Sequence, residues 1–143
     1  MIRLFKNFVG VDISKIWFDA ALVKAVDPSI VLHEKFTQKS EGFKKMQALL
    51  QKQNVLLDEQ TLFCMEYTGI YNTGLVHYLV KAKAAFWLEM PLKIKKAGGF
   101  ERGKDDKAAA VKIAWYALRY KDQVKLLQPI DRNIEGRGIT LFK

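Results

Sequence analysis

Asn7-Phe8-Val9-Gly10-Val11-Asp12-Ile13-Ser14-Lys15 is the stretch from which the rest of the chain takes its order. Residues 8–11 have the composition of a buried strand, Asp12 stands where that strand runs out, and Ser14 turns the chain. A carboxylate at the end of a core strand is costly to bury unless a cation or a hydrogen-bond donor meets it. Two partners suit Asp12. It holds a metal ion, or it opens a turn and caps backbone amides, as Asp often does.

The chain has 143 residues, half of them hydrophobic, which is enough for one core and too little for two domains. Its formal net charge is +9, and an excess of that size points to a polyanion, nucleic acid before membrane surface. The single cysteine, Cys64, lies in an apolar run and reads as a core residue of a reducing compartment. The N-terminal residues carry Arg3 and Lys6 without an apolar run of signal-peptide length, and no later stretch approaches ~20 apolar residues. The expected setting is therefore the cytoplasm, with nucleic acid and not a membrane as partner.

Outward from Asp12, residues 16–23 and 30–37 are rich in strand formers and flank Asp27-Pro28-Ser29, which reads as a turn. Three consecutive antiparallel strands follow from such short connections. His33, with no second His or Cys near it at ligand spacing, reads as a surface or packing residue. Phe43, Met46, Leu49 and Leu50 recur at helical spacing behind Ser40, the expected N-cap. Residues 61–65 form a short apolar run typical of a strand covered on both faces, and Glu66 ends it. That is a second acid at a strand terminus. A helix is expected over 71–82 with Leu75, Tyr78 and Leu79 inward, then a strand over 84–88 before Pro91.

Residues 92–107 are the most basic segment, with Lys93, Lys95, Lys96, Arg102, Lys104 and Lys107 around Gly98-Gly99. The glycines argue against a long helix, so the segment reads as a positively charged loop suited to phosphate contact. A last helix is expected from near Asp106 to Tyr120, its alanine stripe letting it lie close against a sheet. This order suits an α/β layer fold in which the first and fourth strands are parallel neighbours, bringing Asp12 beside Glu66. Adjacent carboxylates repel unless a divalent cation neutralises them, and Mg²⁺ takes oxygen ligands of this kind.

Five blocks carry a resemblance to a known family: Gly10-Val11-Asp12-Ile13-Ser14-Lys15, Glu66-Tyr67-Thr68-Gly69-Ile70-Tyr71, Pro91-Leu92-Lys93-Ile94-Lys95, Arg102-Gly103-Lys104-Asp105-Asp106-Lys107 and Ile113-Ala114-Trp115-Tyr116-Ala117. In this order they resemble the DEDD transposases of insertion sequence 110, bacterial recombinases guided by a bridge RNA. The resemblance implies a ribonuclease-H-like, RuvC-like three-layer fold with a mixed central sheet over residues 1–128. It also implies Mg²⁺ or Mn²⁺ on an acidic site, DNA and a structured guide RNA as partners, and a homo-oligomer. Carried over singly, the first three acids are Asp12, Glu66 and Asp106.

Two departures accompany the resemblance. The fourth acid of the family pattern falls on Ala109, whose methyl group coordinates nothing, and Asp105 is at most a weak substitute. None of the three serines, Ser14, Ser29 and Ser40, sits in a block like that of the family's serine nucleophile, which belongs to a second domain. Residues 129–143 are expected to lie outside the fold; Ile134-Glu135-Gly136-Arg137 within them matches a protease-site tag. Two other functions fit the same residues: a stand-alone metal-dependent nuclease of the Holliday-junction-resolvase kind, and a non-catalytic nucleic-acid-binding or oligomerisation module.

Overall fold

The computed structural model describes residues 5–91, 93–94 and 108–124. Asp105, Asp106, Lys95, Lys96, Arg102, Lys104, Lys107 and the 129–143 tail lie outside the described residues. The elements within them are β1 (Asn7–Ile13), β2 (Trp17–Lys24), β3 (Asp27–Thr37), α1 (Ser40–Lys52), β4 (Thr61–Glu66), α2 (Thr73–Lys81), β5 (Ala85–Glu89) and α3 (Ala109–Arg119). The strands form one sheet in the order β3-β2-β1-β4-β5. Short turns make β1, β2 and β3 an antiparallel meander, whereas β4 and β5, reached through helices, pair parallel to β1 and to each other.

Alternation along each strand sends side chains to two different cores. Val9, Val11, Phe18, Leu22, Phe63, Met65 and Phe86 pack with Phe43, Met46 and Leu50 of α1 and Leu75, Val76 and Leu79 of α2. Phe8, Val23, Leu62, Cys64 and Trp87 point the other way and meet Ile113, Ala114 and Ala117 of α3. The result is three layers, helices on both faces of a mixed sheet, as expected from the sequence.

Local boundaries differ from expectation in four places. The chain reverses at Ala25 and Val26, and Asp27-Pro28-Ser29 already belongs to β3, where Asp27 Oδ1 accepts hydrogen bonds from the Ser29 amide and hydroxyl. The β2–β3 register shifts on either side of Val23. Lys39, extended and without a side-chain bond, is the N-cap of α1, and Ser40 is its first helical residue. Before α2, Gly69–Asn72 form a 3-10 turn, and Val76 takes the fully buried position while Tyr78 is half-buried. Finally, α3 begins at Ala109, not near Asp106, because Ala108 is extended.

Among the described residues, no helix is long and apolar enough to cross a membrane. Cys64 is buried beside Gly10 in the parallel β1–β4 register, and burial pushes its thiol pKa up, as suits a core residue.

Candidate active site

Gly10 decides how close α3 can come. A Cβ at this position would run into the Ala110 carbonyl oxygen and the Ala114 amide nitrogen, and would stand 2.9 Å from Ala114 Cα. The helix backbone therefore rests directly on β1. Ala110 and Ala114 lie over Gly10, whereas Ile113 and Ala117 pack with Phe8 and Leu62 further back. Ala110, in the first turn of α3, thus lies over Gly10, two residues before Asp12 on the same strand.

Asp12 shares this face with Gly10, two residues back. Its partner across the hairpin is Asp19, and Asp19 in turn pairs with Lys35 on β3. On the other side the parallel register ends at Val11 and Met65, which makes Glu66 the next neighbour of Asp12, and Glu66 pairs with Glu89. Lys35, Asp19, Asp12, Glu66 and Glu89 are therefore one cross-sheet row of charged residues, one from each strand. Asp12 and Glu66, the two acids expected from the sequence, occupy its middle.

The members of the row are held differently. His33 Nε2 lies 3.0 Å from Asp19 Oδ2, which gives that histidine a surface role beside an acid. Glu89 is buried, its carboxylate accepting bonds from the Tyr116 hydroxyl at 2.8 Å and the Met90 amide at 3.0 Å. Burial, and then the bond to Glu89, push the Tyr116 hydroxyl pKa up, so the tyrosine stays a donor and fastens α3 to β5. Asp12 and Glu66, by contrast, are half-buried and neither carboxylate has a hydrogen-bond donor among the described residues. The β1–β2 turn is closed instead by Ser14, whose amide and hydroxyl both donate to the Trp17 carbonyl. Among the described residues, Asp12 caps no turn.

Burial raises the Asp12 carboxyl above its ordinary value, the Asp19 charge adds to the rise, and Lys35 opposes it. Glu66 is raised by burial and then by Asp12. Behind Glu66 the backbone is locked: buried Asn72 donates to the Glu66 carbonyl at 3.0 Å and accepts from the Thr68 amide and hydroxyl. Gly69 lets the chain turn here with φ +86, a conformation that side chains with a Cβ rarely adopt.

Raised carboxyl groups give a signed prediction for the metal-free protein. A folded state that binds the proton more tightly than the unfolded chain carries no penalty below the ordinary carboxylate range. The penalty grows as pH rises through the shifted value and is complete above it. Asp12→Asn removes it, so in EDTA at neutral pH the variant should melt about 1–3 °C higher than wild type, a small gain because solvent screens a half-exposed group. The difference should shrink on acidification. A lower melting temperature at neutral pH would show instead that the Asp12 charge is paired.

Of the other expected site residues, Lys93 is exposed, just after the Met90 carbonyl to which its amide donates. Ala109, where the resemblance leads one to expect a fourth acid, is exposed as the first residue of α3. Among the described residues, no group of three or more His, Cys, Asp or Glu side chains converges well enough to hold a metal ion. Asp19, Glu89 and Asn72 were not expected from the sequence. Glu89 had a visible signal, since it ends an apolar strand just as Asp12 and Glu66 do.

The sheet order and three layers are shared with known structures. Thermus thermophilus RuvC superimposes with a TM-score of 0.54 at 12% identity, over 85% of this chain and 99% of that chain. The same figures hold for T. thermophilus RuvC in complex with Holliday junction substrate. At that identity the likeness establishes the fold, which is ribonuclease-H-like. No curated protein matches the sequence. Residues 9–136 match the transposase family of the DEDD type named for insertion sequence 110, a span holding both central acids, the tight Gly10 contact and all of α3, and to that family this chain belongs.

Proposed function

We propose that this chain is the catalytic-type domain of a DNA transposase, and that Asp12 and Glu66 form the metal-holding part of its site. One observation carries the proposal: two neighbouring, half-buried carboxylates at the ends of parallel strands without a donor from the described residues. Their raised pKa values mean that a cation would relieve both burial and mutual repulsion. Their oxygen donors fit Mg²⁺ or Mn²⁺, which take carboxylates together with water and phosphate oxygens. Divalent ions supply stabilisation of the attacking and leaving oxygens in phosphoryl displacement. Asp106 is the proposed third ligand, and Lys93, Lys95, Lys96, Arg102, Lys104 and Lys107 the proposed phosphate contacts. DNA is the partner that this chemistry calls for; a guide RNA and a second copy of the chain are proposed from the family resemblance.

Titration of the EDTA-stripped protein with Mn²⁺, followed by water proton relaxation, tests the metal site. One weak site is expected, lost in the Asp12→Asn, Glu66→Gln double variant. Binding that survives both substitutions would place the metal elsewhere. Ala109 at the fourth ligand position favours a second reading, a nucleic-acid-binding module without catalysis. Metal-independent DNA binding that weakens steeply with salt, without cleavage in Mn²⁺, would support it.

A further inference from the structure

Beyond the acid row, at the outer edge of the sheet, an open groove of about 500 Å³ lies between β3 and the first turns of α1. Trp17, Lys35, Phe36, Glu41, Lys44 and Lys45 are among its lining residues. Three cations against one acid leave it positively charged, and none of these lysines is in an ion pair among the described residues. Trp17 is 45% exposed, although it is the first residue of a strand and its carbonyl is fixed by Ser14. A large indole held at the mouth of a basic groove contributes little to either core. It offers a face on which a planar group can stack.

The groove also adjoins the acid row. Lys35 lines it and pairs with Asp19, which in turn pairs with Asp12. A strand whose phosphodiester lay at Asp12 and Glu66 would pass Asp19, which His33 Nε2 meets at 3.0 Å, before it reached Lys35 and Trp17. Stacking on Trp17 needs a base freed from its own duplex, and the lysines supply partners for the phosphates on either side.

We propose that this groove binds a single-stranded DNA segment flanking the reacting phosphodiester, with one base stacked on Trp17 and neighbouring phosphates on Lys35, Lys44 and Lys45. The choice of DNA rests on the transposase reading above, and the groove's continuity with the acid row extends that reading to a defined strand path.

The test is anisotropy of a fluorescein-labelled oligothymidylate in EDTA, across a salt series, with the whole chain. Trp17→Ala should weaken binding about five- to a hundredfold, and Trp17→Phe, which keeps an aromatic face, should recover much of the loss. Lys44→Ala with Lys45→Ala should reduce the slope of log affinity against log salt by about 1.4, two phosphates at roughly 0.7 each. Affinity and slope unchanged in all three variants would overturn the proposal. So would equal competition by duplex of the same length, or tighter binding of the matching oligoribonucleotide. Mn²⁺ relaxation titration of Trp17→Ala keeps the two readings apart, since loss of the groove should leave Mn²⁺ binding at Asp12 and Glu66 unchanged.

Discussion

Gly10→Ala is expected to destabilise the protein by about 3 kcal/mol or more and to lower its melting temperature by roughly 10 °C. The added methyl group would meet main-chain atoms of Ala110 and Ala114, and the backbone of a helix cannot rotate away as a flexible side chain can. Relief requires lifting α3 from β1 along a contact that buries Ala110, Ile113, Ala114 and Ala117. Gly69→Ala makes the informative comparison. Gly69 has φ +86 but nothing within 4 Å of its missing Cβ, so its substitution adds only backbone strain, about 1 kcal/mol. Urea denaturation of the two variants should therefore separate close approach from conformational strain. Equal losses would mean that α3 does not rest on Gly10 as closely as the structure has it.

Much of this arrangement was legible in the sequence because its signals were local. Continuous apolar runs ending in Asp12 and Glu66 marked two core strands with acids at their ends, and the alanine stripe of residues 109–117 foretold a helix lying close to the sheet. What the sequence concealed was register. Asp19 sits in a strand-forming run, and only the hairpin pairing places it opposite Asp12 and beside Lys35. The Asp27-Pro28-Ser29 stretch looked like the turn itself because Pro and Asp are turn formers, yet the reversal fits into Ala25 and Val26, one step earlier. The groove beside Trp17 was hidden for a similar reason. Its lining comes from β2, β3 and α1, and nothing in the spacing of Lys35 from Lys44 and Lys45 sets them around one indole.

Ala109→Asp is expected to tighten Mn²⁺ binding on the order of tenfold or more. Outer-sphere partners alone alter metal affinity by about 10–100-fold, and a carboxylate that coordinates directly should do at least as much. The position is favourable for an acid. Ala109 is exposed, it is the first residue of α3, and its neighbour Ala110 presents a carbonyl oxygen over Gly10, two residues from Asp12 on the same strand face. Two opposing effects act on the metal-free variant. An anion in the first helical turn gains about 0.3–1 kcal/mol from the helix dipole, and α3 has no side-chain cap to compete with it. Repulsion from Asp12 and Glu66, whose pKa values are already raised, works against that gain. The melting temperature in EDTA should consequently change little, while Mn²⁺ should raise it more in Ala109→Asp than in wild type, because a ligand that binds only the folded state stabilises in proportion to its affinity. A metal-free melting temperature that rises with no gain in Mn²⁺ affinity would show that residue 109 acts on the helix alone. Tighter binding that is abolished again by Asp12→Asn would join residue 109 to the acid row through the metal itself.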